Sequence, residues 1–240
     1  MPLPKITTPT YELVLPSSGK KIKYRPFLVK EEKVLILALE SQDVKQITNA
    51  IKTTLKDCIV TRGVKVDDLP TFDIEYIFLN VRGKSVGEAL DLIVTCPDDE
   101  ETTVPIKIYI DEIEVKKDKK HDQEIPLDAK LTLKMKYPSL SEFIKENFNS
   151  DGETSAVEQS FDMVASCIDM VYDHEDAWAA ADCTKKELTE WVETLSSKQY
   201  KKIETFFETM PKLSYTMKVK NPKTKVESEV VLEGLASFFG

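Results

Sequence analysis

An α+β fold is predicted by three observations. Short strand-period segments come in pairs around polar tips, and amphipathic helical stripes fill the stretches between them. Beyond residue 155 the chain turns mainly helical before closing on a last hairpin. The expectation is an N-terminal mixed part with antiparallel β-hairpins and three helices, followed by a helical C-terminal part closed by a β-hairpin.

TYELVL and KKIKYR, residues 10–15 and 20–25, read as strands about the turn PSSG, with Tyr11, Leu13 and Leu15 alternating against Glu12 and Val14. After Pro26 the period changes. FLVKEEKVLILALES is helical, and its nearly continuous apolar second half predicts deep burial. In the next helix Val44, Ile47, Ile51, Leu55, Cys58 and Ile59 form one stripe. DLPTFDIEYIFLNVRG supplies a third helix, with an acidic start, an early proline and a glycine just past its end. EALDLIVTC and TTVPIKIYI pair as strands, an extended piece follows around DEIEV, and KKDKKHDQE reads as a solvated loop with His121 exposed.

DAKLTLKMKYP alternates again until Pro138, and Ser139 with Glu142 has the capping-box spacing that starts a short helix. NSDGETS, residues 149–155, is the predicted linker between a mixed part (1–148) and a helical part (156–240). Helices are expected over roughly 153–172, with Val157, Phe161, Val164, Ile168 and Val171 on one face, over 184–195 with a Thr184–Glu187 capping box, and over 197–209. The closing hairpin YTMKVKNPKTKVESEVVLEG repeats the layout of LDLIVTCPDDEETTVPIKIYI, which would let it pack on the same sheet as the first part.

Composition narrows the functions available. The chain has 240 residues, 41% hydrophobic and 31% charged, the balance of an ordinary globular protein. A net charge of −9 disfavours a general nucleic-acid surface, which needs clustered cations. No apolar run reaches the roughly 18–20 residues of a bilayer span. MPLPKITTPTYELVLP lacks a signal-peptide core, so the chain is expected to stay in a cytoplasm. Its four cysteines, Cys58, Cys96, Cys167 and Cys183, are scattered, and reduced thiols are expected.

Each candidate chemistry has a plainer reading. Cys96 at the tip TCPDDEETT sits where a zinc knuckle would start, but Asp98 and Asp99 stand where a second cysteine belongs. A calcium loop is disfavoured too, because its aspartate spacing and glycine are missing around Asp98, Asp99, Glu100 and Glu101. RGKSVG resembles a phosphate loop, yet Phe78 occupies the position of the required first glycine. Only 7 glycines occur, against a nucleotide enzyme. His174, among Asp173, Glu175 and Asp176 at an expected helix end, is the one candidate base or metal ligand, with Cys167 and Cys183 nearby in sequence. No catalytic set, metal site or cofactor is expected. Leu232, Leu235, Phe238 and Phe239 lie at near-helical spacing in the tail, suited either to docking on the chain's own helices or to a partner's groove.

The blocks RPFLVKEEK, IFLNVRGKSVGE and KYPSL carry a resemblance. Together they look like the baseplate hub family of T-even-type contractile-tailed phages, the small hub proteins also known as hub assembly proteins. The likeness covers residues 3–148 well and the remainder loosely. It implies a non-enzymatic role in building the central hub of the baseplate, with other hub proteins as partners and self-association open. The implied location is the host cytoplasm during assembly, or the tail baseplate of the virion. The alternatives are a stoichiometric hub subunit and an enzyme or metal protein with a site near His174. Arg25, Lys30, Arg82 and Lys84 are the expected partner-binding charges, with Leu232, Leu235, Phe238 and Phe239 as apolar anchors.

Overall fold

The computed structural model describes residues 6–41, 43–139 and 156–238. Among them are six helices and eleven strands in four small antiparallel sheets, so the fold is α+β. The chain divides into two units, one running through Lys116 and resuming at Lys212, the other spanning Lys117–Pro211.

In unit 1, β1 (Tyr11–Val14) and β2 (Lys21–Tyr24) pair with Leu13 opposite Ile22, and both side chains are buried. α1 (Val29–Ser41) and α2 (Val44–Cys58) pack on each other. Asp43 caps α2 by accepting the Lys45 and Gln46 N–H groups at 2.8 and 3.2 Å. Of the predicted α2 stripe Ile47, Ile51, Leu55 and Cys58 are buried, with Ala50 beside them, while Ile59 just past the helix is half-buried. α3 (Thr71–Val86) is enclosed on most of its surface, with Phe72, Ile74, Ile77, Leu79 and Val81 all buried. It ends at Gly87, whose φ of +138° is open to glycine alone.

β3 (Ala89–Thr95) and β4 (Thr103–Tyr109) form the next hairpin, and β5 (Glu114–Lys116) follows. The closing hairpin of β10 (Lys212–Lys220) and β11 (Glu227–Glu233) lays β10 against β5, Leu213 opposite Val115. Both of those side chains lie on one three-stranded sheet, so the end of the chain completes unit 1. The units divide the chain at Lys116 and Pro211, and the expected linker, 149–155, lies outside the described residues.

Unit 2 is a four-stranded antiparallel sheet with helices. Its strands are β6 (Glu124–Pro126), β7 (Thr132–Met135), β8 (Ile168–Tyr172) and β9 (Ala177–Ala179), in that spatial order. α4 (Ala156–Ser166) packs against α5 (Lys185–Glu193), and α6 (Ser197–Thr209) follows. Leu133, Met135, Val164, Ile168, Val192, Ile203 and Phe206 share one core. Burying each such side chain contributes about 1.5–3 kcal/mol. The Thr184–Glu187 capping box forms as its spacing predicts, and Ser196 with Gln199 makes another.

Several local expectations are corrected. The helix expected over 153–172 stops at Ser166, because Ile168–Tyr172 pairs with β7, Leu133 opposite Val171. The apolar positions 168 and 171 face the core from a strand as well as they would from a helix. KKDKKHDQE is not wholly loop, since Glu124 opens β6, and His121 is half-buried. α1 is not deeply buried: only Glu31, Leu35 and Ala38 are enclosed. The helix expected from Ser139 falls on 140–148, outside the described residues.

Candidate functional site

The acidic hairpin tip has a structural use. Asp99 accepts the Thr102 hydroxyl at 2.5 Å and its N–H at 2.9 Å, tying the turn to itself. These bonds hold the Asp99 carboxyl well below the usual range. Asp98 reaches the other hairpin: it accepts the side-chain amide of Asn221 at 3.0 Å and the hydroxyl of Thr224. Asn221 is buried, and its own Oδ1 accepts the Lys223 N–H at 2.8 Å. The two tips of similar layout are thus joined by hydrogen bonds. Cys96 is buried, and burial and the adjacent carboxylates raise its thiol pKa, opposite to what a thiolate ligand needs.

RGKSVG belongs to the last turn of α3 and packs closely. A Cβ on Gly83 would stand 2.6 Å from Ile110 Cδ1, so the glycine lets Ile110 approach the helix. His174 is exposed on the β8–β9 turn, not at a helix end. Among the described residues, no group of three His, Cys, Asp or Glu side chains could hold a metal. Nor does any buried side-chain nitrogen or oxygen there lack a hydrogen-bond partner. His121, the other histidine, sits against the Tyr137 and Phe206 rings at 5.6 and 5.1 Å. Its ring nitrogens lie 3.0 Å from Thr209 Oγ1 and 3.0 Å from Tyr137 Oη. Burial, helped by Lys117, lowers its pKa. Three cysteines are buried and Cys183 is exposed.

The predicted basic residues are placed differently from one another. Arg25 is mostly enclosed, its Nη2 3.0 Å from Glu31 Oε1. Glu31 also accepts the Leu28 N–H at 2.6 Å and lies 3.2 Å from Lys30 Nζ. Burial of Glu31 would raise its pKa, but the bonds from Arg25, Leu28 and Lys30 outweigh that and leave it lowered. Arg25 therefore helps fix the start of α1, while Lys30 stays in solvent. Arg82 is half-buried on α3, and burial lowers its pKa. Lys84 pairs with Glu88 four residues on and lies 5.0 Å from the centre of the Tyr11 ring.

RPFLVKEEK and IFLNVRGKSVGE nevertheless meet, because the Phe27 N–H donates to Ser85 Oγ at 2.9 Å. From that junction α1 extends with Val29 at 80%, Ile36 at 50% and Leu37 at 54% exposure, and Val34 and Leu39 about as open. Sequence reading missed this face. The unbroken apolar run was its signal, read there as burial.

Leu235–Phe238 forms a 3-10 turn and Phe238 is buried at 1% exposure, the first of the two alternatives for that residue. Leu232 is half-buried on β11, and Phe239 lies outside the described residues. No side-chain placement is described for Leu235. No helix among the described residues is long and apolar enough to cross a membrane.

The arrangement is that of a chain with an exposed apolar helix face and, among the described residues, no group of His, Cys, Asp or Glu side chains that could hold a metal. The family described as T4 bacteriophage base plate protein matches residues 8–240, and the chain belongs to that family. Searches of the curated proteins and of the solved structures returned no match.

Proposed function

We propose that this base plate protein acts without covalent chemistry in assembling the central hub, holding other hub proteins through surfaces of unit 1. The observation that carries the reading is the open apolar face of α1, beginning beside the RPFLVKEEK–IFLNVRGKSVGE junction. Large apolar side chains gathered on one exposed helix mark a binding surface more often than a solvent face. Lys30 supplies charge at the start of that face, with Arg25 shaping the turn behind it and Arg82 and Lys84 supporting α3. The work is done in the host cytoplasm while tails are built. Leu37→Glu combined with Ile36→Lys tests it: hub complexes recovered from infected cells should fall while the protein stays folded. Normal yield of those complexes would remove the reading.

A second reading is a stoichiometric subunit of the finished baseplate, favoured by the family's description as a base plate protein. Purified complete tails separate the two: the chain is absent from them if it is an assembly factor and present in fixed ratio if it is a subunit.

A further inference from the structure

In unit 2, an apolar cavity of about 480 Å³ lies between the β8–β9 side of the sheet and α5. Val171, Trp178, Cys183, Glu187, Leu188 and Trp191 are among the residues that line it. The chain contains two tryptophans, and both are here. Trp178 is half-exposed on β9, the last strand of its sheet. A tryptophan left half in water at the mouth of an apolar hollow is the kind of group that dominates binding energy when a partner covers it.

The charge around the hollow is mainly negative, with Lys130, next to the lining residue Leu131 and near Asp173, as a cation at its edge. Asp173, Glu175 and Asp176 lie on the β8–β9 turn, Asp182 precedes Cys183, and Glu187 is in the wall. The cations of the same elements are already engaged: Lys134 with Asp169 at 2.9 Å, Lys185 with Asp162 at 2.6 Å and Lys186 with Glu190 at 3.6 Å. Glu175, Asp176 and Asp182 make no ion pair among the described residues. An apolar interior with an acidic surround fits an apolar side chain carried between cations and repels nucleic acid.

We infer that this cavity docks an apolar side chain from a lysine- or arginine-flanked segment of another hub polypeptide. The apolar group enters beside Trp178 and Trp191, and the flanking cations meet the carboxylates. The inference rests on the proposed role in holding hub proteins and adds a second binding surface to it.

The full chain is titrated with two synthetic hexapeptides sharing a leucine–phenylalanine centre, one flanked by lysines and the other by glutamates, while tryptophan emission is followed. The lysine-flanked peptide should bind about tenfold more tightly than its counterpart. It should also protect Cys183, the one exposed cysteine of the four, from a maleimide. Trp178→Ser removes a half-exposed side chain and should weaken binding about tenfold, read through Trp191. Equal binding of the two peptides, unchanged affinity in W178S, or no response with Cys183 freely labelled overturns the inference. In infected cells, W178S should lower hub yield. Normal yield with W178S, where deleting the chain abolishes hubs, overturns the cavity's role and leaves the proposed function standing. Normal yield on deletion removes the proposed function, and the peptide titration then decides the cavity alone.

Discussion

Asn221 ties the two hairpin tips, donating to Asp98 while folding its own turn through Lys223 and Thr224. Asn221→Ala should cost about 0.5–1.5 kcal/mol in a denaturant titration, since it removes the bonds to Asp98 and those that fold its own turn, while the exposed partners regain water. Gly83→Ala should be destabilising through the contact with Ile110 Cδ1, and Ile110→Val should recover part of the loss by shortening the intruding side chain. His121 gives a pH dependence. Its folded pKa is lowered from 6.5, so the unfolded chain binds the proton more readily and stability falls as pH drops below that value. The unfolding midpoint of the wild-type chain should therefore decline more steeply between about pH 6.5 and 5 than that of His121→Phe. None of these three roles was legible in sequence. A histidine in a run of lysines and aspartates looks solvated, and nothing local shows that Tyr137 and Phe206 enclose it.

Elements whose pattern is local were readable. The β1–β2 and β3–β4 alternation, the α2 stripe and the Thr184–Glu187 cap each depend on neighbours in sequence, and each has formed. Elements decided by distant partners were not. β8 is a strand because β7 offers it a ladder, and β9 is too short for any periodicity to register. α1 is the sharper case. Its apolar content shows that something must cover the helix, but not whether the cover belongs to this chain. Ile36→Lys should change stability by no more than about 0.5 kcal/mol in thermal denaturation, because that side chain is already half in water. Leu35→Ala, on the enclosed face, should cost about 2–5 kcal/mol in the same measurement. The candidate surface was legible only in part. The blocks around Arg25 and Lys84 lie beside the start of the proposed surface, but most of their charge is spent on pairs within the chain.

At the scale of the molecule, unit 1 is assembled from two stretches of chain separated by the whole of unit 2. Both tryptophans fall in unit 2, so their emission follows that unit alone. Truncation after Pro211 should abolish cooperative unfolding of unit 1, measured by amide hydrogen exchange on α3, while the tryptophan transition persists. Loss of both signals together would mean that the units do not fold separately. The shared layout of the two hairpins hinted at this arrangement, and the pairing of Leu213 with Val115 shows which strand the last hairpin joins. The pairing also sets a timetable for biosynthesis. On the ribosome, where chains emerge at about 5–20 residues per second, every strand of unit 2 is out before β10 leaves the exit tunnel. The sheet around β5 cannot close until then, so the younger end of the polypeptide decides when its older end matures.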